Sequence, residues 1–191
     1  MGYSKADKAE SHERIVRIAA DRFRELGIDG MSVADLMQHA GLTHGGFYRH
    51  FSSREELVAE AVERALADGS AVADAVAAHP GSTIGALVDA YLSSVHRDNV
   101  AAGCAVTSLA NDVARSSERT RSAYTAQVDR YVVLIVQLIQ HLPQKQRRAS
   151  ALAALATLVG AVAMSRAVND DKVSREILKA AADELKVRLA G

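Results

Sequence analysis

The chain has 191 residues, 49% of them hydrophobic and 24% charged, which excludes a disordered segment, a collagen-like repeat and a disulfide scaffold. Its 23 basic residues balance 23 acidic ones, so no whole-molecule field holds it on nucleic acid or an anionic membrane, and any such binding must be local. Two prolines, 4% aromatic residues and no tryptophan, with abundant Ala, Leu, Val, Arg and Glu, predict an all-α fold.

In chain order, Ile15, Ile18, Ala19, Phe23 and Leu26 recur at three- and four-residue spacings and Gly27 follows them, predicting a first helix. Ser32, three residues before Asp35, opens a short second helix over Val33 to Ala40 that stops at Gly41. Thr43 is placed to cap a third segment, His44 to His50. Ser53 and Glu56 repeat the capping signal and open a long fourth helix, expected to run to His79 and to break at Pro80-Gly81.

The set Ile84, Leu87, Val88, Tyr91, Leu92 and Val95 marks one helical face. A short helix around Ala105 to Ala114 and a longer one from Glu118 to His141 follow, the latter apolar almost all round from Val132 to Ile139 and so expected to be buried on several sides. Two last helices, about Gln144 to Val168 and Ser174 to Leu189, are joined by Asn169-Asp170-Asp171. The first carries small residues at Ala153, Ala156, Gly160 and Ala163, which admit another backbone closely, while Ile177, Leu178, Ala181 and Leu185 stripe the second. Paired with their copies across a two-fold axis, these helices would make a four-helix bundle. In all, about nine helices are expected, in two units: a three-helix head over 1–55 and a larger helical domain over 56–191.

Cys104 is the only cysteine, which excludes an intramolecular disulfide and a multi-cysteine metal site and fits a reducing, cytoplasmic setting. The seven histidines have no helical pairing and no cysteine partner at zinc spacing, so no metal is expected. There is no phosphate loop, no nucleophile elbow and no distinct carboxylate pair, so neither a cofactor nor an enzymatic role is expected. The longest apolar run, Ala151 to Met164, is shorter than the roughly 18 residues a membrane span requires.

Helix, tight turn and helix between Val33 and Phe51 have helix-turn-helix dimensions. The string from Gly41 to Leu57, GLTHGGFYRHFSSREEL, resembles the recognition-helix signature of TetR-family transcriptional regulators, and the likeness extends over about the first 65 residues. It implies a homodimeric, one-component regulator, a repressor on a pseudo-palindromic DNA operator that a small-molecule effector releases. Alternatives are a ligand-requiring or activating regulator, and an electrophile or oxidant sensor acting through Cys104, which stands at a helix start where the dipole favours a thiolate.

The residues support that expectation individually. Tyr48 carries a hydroxyl on a rigid ring that reaches a phosphate oxygen, while Phe47 and Phe51 anchor the short helix. Gly45 and Gly46 let the backbone approach DNA, although Gly46 replaces a small hydroxyl residue that many members carry. His44, on the first exposed turn, addresses a base edge. His50, Thr43, Ser32 and Arg54 complete the expected DNA contacts. Effector candidates by residue type are Tyr91, His96, Cys104, Ser108, Asn111 and Tyr124, polar groups among apolar faces.

Overall fold

A computed structural model describes residues 5–79 and 81–189. Within them every regular element is helical: α1 (Lys5–Leu26), α2 (Val33–His39), a 3-10 helix (His44–Arg49), α3 (Arg54–Asp68), α4 (Ala71–Ala78), α5 (Ile84–Tyr91), α6 (Ser94–Asp98), α7 (Ala105–Val113), α8 (Glu118–Leu138), α9 (Gln144–Ala167) and α10 (Asp171–Leu189). The fold is all-α, an N-terminal DNA-binding head joined to a larger helical domain. Eleven helical segments replace the expected nine. The expected break at Pro80 lies outside the described residues.

The head closes on α1, which buries Ile15, Val16, Ala19, Ala20 and Phe23 against α3. Gly27 ends α1 in the left-handed region (φ 80°), where a side chain is strained, and its N–H donates to Phe23 O at 2.9 Å. Ser32 caps α2 as expected, its hydroxyl accepting from Asp35 N at 3.1 Å. The third segment differs in detail. It is a 3-10 helix, and Thr43, although at its N-terminus, makes no side-chain capping bond. Phe47 and Phe51, stacked with centroids 5.4 Å apart and both buried, fix it to the core. His12 of α1 lies against the other side of Phe51 at 4.5 Å and binds Glu60 of α3 at 2.7 Å.

The long fourth helix is interrupted. It ends at Asp68, and α4 starts afresh at Ala71. The reason is a crossing: a Cβ at Gly69 would stand 2.8 Å from Gly103 O and 2.9 Å from Ala105 N, so the chain at 103–105 passes where only glycine leaves room. Likewise the face expected to include Val95 stops at Tyr91, because Ser93 caps a new helix through His96 N at 3.1 Å, leaving Val95 exposed.

In α8, Val132, Ile135 and Ile139 are buried, but Val133 is exposed, so the burial is less complete than its composition predicts. The last helix begins at Asp171, earlier than expected, because Asp170 Oδ1 accepts from Lys172 N and Val173 N. By length and composition α9 would suffice to cross a membrane; here its Ala151, Ala154, Leu158 and Val162 are packed inside the protein, against α8 and α10. One continuous apolar core runs from Ile15 in the head to Leu189 in α10.

Candidate nucleic-acid interface

The anchored 3-10 helix presents what the core does not consume. Tyr48 is 75% exposed, its ring edge-on to Phe47 at 5.3 Å, and His44 and Gly45 are exposed beside it. A Cβ at Gly45 would meet nothing within 4 Å, and one at Gly46 only Met37 Cε at 3.6 Å and Thr43 Oγ1 at 3.7 Å. The fold itself therefore tolerates side chains at both glycines. Ser32 combines its cap with a hydroxyl donated to Asp35 Oδ2 at 2.6 Å.

A cleft of about 380 Å³ opens between the N-terminal turns of α1 and the 3-10 helix, lined by Lys5, Lys8 and Ser11 on one side and by Thr43, Gly46, Arg49 and His50 on the other. Among the described residues, Lys5, Lys8 and Arg49 enter no ion pair, whereas Arg22, Arg24, Arg54 and Arg64 are each paired with carboxylates. Arg14 and Arg17 of α1 are likewise in no ion pair among the described residues, so three of the five unpaired cations of the head line this cleft. Burial holds the His50 imidazole below its ordinary pKa, and the charges of His12, Lys8, Arg49 and Arg14 add to the effect. Its Nδ1 is covered and has no partner.

Arg54 is placed differently from the other expected DNA contacts. Its Nη2 donates to Ile28 O and Asp29 Oδ1, both at 2.8 Å, tying α3 to the turn after α1. It lines a separate cleft of about 220 Å³ that also contains Asp112 and Arg115 of the larger domain.

The effector candidates divide. Tyr91, His96 and Cys104 come together in the interior: Tyr91 Oη lies 2.9 Å from Thr107 Oγ1, His96 Nδ1 lies 2.6 Å from Tyr91 O, and Cys104 N donates to His96 Nε2 at 3.0 Å. His96 is therefore neutral, with its proton on Nδ1, and burial lowers its pKa. Cys104 is 2% exposed, and its Sγ lies 3.5 Å from Tyr131 Oη. Burial pushes the Tyr91 and Tyr131 hydroxyls well above their ordinary pKa, so both stay protonated.

Tyr124 donates instead to Val106 O at 2.8 Å, its pKa raised to about 12 by burial. Ser108 accepts from Arg166, and Asn111 is exposed. Beside the cluster lies an apolar cavity of only about 10 Å³ lined by Leu87, Tyr91, Tyr131, Ile135 and Leu158 among others. Residue type had pointed to neither Tyr131 nor Gln127, a buried amide one turn away with an unpartnered Nε2. A lone tyrosine within an aliphatic stretch is the signal that marks the former. On the head, the three-residue spacing of Lys5, Lys8 and Ser11 is the corresponding signal.

A helix-turn-helix head with an exposed, aromatic-anchored third helix, set on an all-helical body, defines a DNA-binding transcriptional regulator. Residues 15–61 match the family model of bacterial regulatory proteins, tetR family. The uncharacterized HTH-type transcriptional regulator Rv0196 of Mycobacterium tuberculosis is 29% identical over 179 residues, covering 86% of this chain and 91% of that protein. A TetR transcriptional regulator from Chloroflexus aurantiacus superposes with a TM-score of 0.80 at 27% identity, over 95% of both chains. Over the head alone, the HTH-type transcriptional repressor KstR2 of Mycolicibacterium smegmatis is 33% identical across 52 residues, 27% of this chain and 25% of that one. Residues 15–61 thus carry the regulatory domain of the tetR family, and the fold over the whole chain is that of a TetR transcriptional regulator.

Proposed function

We propose that the protein is a cytoplasmic repressor that binds a pseudo-palindromic operator as a homodimer and is released by a small molecule held in the larger domain. The observation that carries the DNA reading is the union of Tyr48 and His44, exposed on the 3-10 helix, with a cleft beside it whose cations are in no ion pair among the described residues. Tyr48, Thr43, Ser32 and His50 address phosphates, Gly45 and Gly46 leave room for the backbone, and His44 reads a base. Arg54 reaches a phosphate only by leaving Asp29, so its first role is to brace the head.

The dimer reading rests on α9 and α10. Ala153, Ala156 and Ala163 are exposed in the single chain, a Cβ at Gly160 would meet nothing within 4 Å, and Met164 and Val187 are 59% and 80% exposed. Small residues flanked by large apolar ones suit close helix packing against a second copy. The buried polar group of Tyr91, Cys104, Thr107 and Tyr131 supports an effector site, which must open to admit a ligand. The burial of Cys104 weighs against the electrophile sensor, since a reactive thiol needs access.

Footprinting of the purified protein on DNA upstream of its own gene tests the reading. Two protected half-sites separated by one or more helical turns are expected. No protection at moderate salt would overturn a ligand-free repressor and favour the ligand-requiring alternative.

A further inference from the structure

Resting on that DNA-binding reading, we propose that the cleft between α1 and the 3-10 helix seats a DNA backbone phosphate, with Lys5, Lys8 and Arg49 as its cationic ligands. The first turns of α1 are then part of the interface, and not merely the scaffold behind it.

Three observations converge. The cleft is lined by three cations, and among the described residues none of them is in an ion pair, whereas Arg22, Arg24 and Arg54 of the same head are paired with carboxylates and Arg14 donates to Ala40 O. Such a concentration of like charge is unfavourable when empty and is relieved by an anion. Neutral donors of the right kind sit in the same walls, since the Thr43 hydroxyl makes no capping bond and the Ser11 hydroxyl lines the opposite side. Finally, Gly46 adds no side chain to the cleft wall, and a Cβ there would meet only Met37 Cε at 3.6 Å and Thr43 Oγ1 at 3.7 Å. Among the described residues no carboxylate lines the cleft. A phosphate matches this chemistry, being anionic, compact and rich in acceptors.

The test is the salt dependence of binding to a labelled operator duplex for the full-length wild type and for Lys5→Gln, Lys8→Gln and Arg49→Gln. The three cations share one phosphate, so each variant should remove part of the roughly 0.9 that this phosphate adds to the log-log slope per head and weaken binding a few-fold at about 0.15 M salt, equally for operator and mismatched duplexes. Among the described residues none of the three side chains makes an ion pair, so melting temperatures should match the wild type. Lys172→Gln, which loses only the pair to Glu176 on α10, should leave the slope unchanged. A neutral methylphosphonate at the contacted position should weaken the wild type, and should weaken Lys8→Gln by a smaller factor. Wild-type affinity with unaltered slopes in all three variants would overturn the phosphate seat alone. A wild type with no affinity for any duplex would overturn the DNA reading and the seat together.

Discussion

Arg24 of α1 and Arg166 of α9 grip the same loop. Arg24 donates to Ala101 O and, through Nη1, to Ala65 O at 3.0 Å, while Arg166 donates to His96 O at 2.8 Å and Arg97 O at 2.9 Å. The segment 96–104 is thus clasped from the head and from the helix proposed to form the dimer. Gly103 completes the fit, since a Cβ there would stand 2.9 Å from Arg166 Nη2.

Arg24 is inside the protein; of its carbonyl partners Ala65 O also accepts from Gly69 N at 2.9 Å, whereas Ala101 O is held by Arg24. Arg24→Met should leave Ala101 O unsatisfied and cost about 1 to 3 kcal/mol. Urea denaturation should show a lower midpoint at unchanged m-value, and an unchanged midpoint would show the clasp to be dispensable.

Gly69 makes a sharper test, because the atoms opposing a new Cβ are backbone. Gly69→Ala must separate α3 from the 103–105 segment, at a cost of about 1 to 3 kcal/mol. Gly45→Ala, which meets open space, should change stability by under about 1 kcal/mol while reducing DNA affinity. Thermal melting beside an anisotropy titration separates the two.

Stability should depend on pH through His50 and His96. Both are held below their ordinary value of 6.5, chiefly by burial, so the unfolded chain takes up protons first as pH falls. Their contribution is complete above pH 6.5 and is lost as pH falls through the depressed folded values. His96→Gln should flatten that part of the denaturation profile, and a profile identical to wild type would exclude His96 as a contributor.

Within the interface, the two aromatic residues should behave differently. Tyr48→Phe, which removes only a hydroxyl, should weaken operator and random duplexes alike, by about fivefold. His44→Ala should alter which sequence is preferred. Selection from a random duplex library reads both, and a shifted consensus for Tyr48→Phe would reverse the assignments.

Ala156 is exposed on α9 in the single chain. Ala156→Glu should yield a folded monomer by analytical ultracentrifugation and lose most operator affinity, because one head cannot span two half-sites. A dimeric variant with full affinity would place the interface elsewhere.

The head was legible because its signals are local. Ser32 announces its own cap, Gly41 its turn, and Phe47 and Phe51 their burial by flanking an exposed tyrosine. What sequence concealed depends on residues far apart in the chain. Gly69 reads as a tolerable glycine within a helix until residues 103–105 cross it. Thr43 reads as a cap, but a 3-10 helix leaves its hydroxyl unused for that purpose. Arg54 matches a family position, and only the fold reveals Asp29 within its reach. Lys5 and Lys8 look like solvated charge because nothing in the first turn of α1 tells that the residues around Thr43 and Arg49 face them. The polar interior was half visible: Tyr91, His96 and Cys104 met as residue types, whereas Tyr131 was hidden by the aliphatic run that surrounds it.

The extensive ion pairing of the basic side chains bears on how many molecules a cell needs. A chromosome offers roughly a million or more competing sites, and a strongly basic regulator is largely sequestered on them. Here Arg22, Arg24 and Arg54 of the head are neutralised at home, and three of the five cations left unpaired among its described residues line one cleft. Little of the protein is then stored on irrelevant DNA. On the proposed reading, fewer copies would then keep an operator filled, and less ligand would empty it.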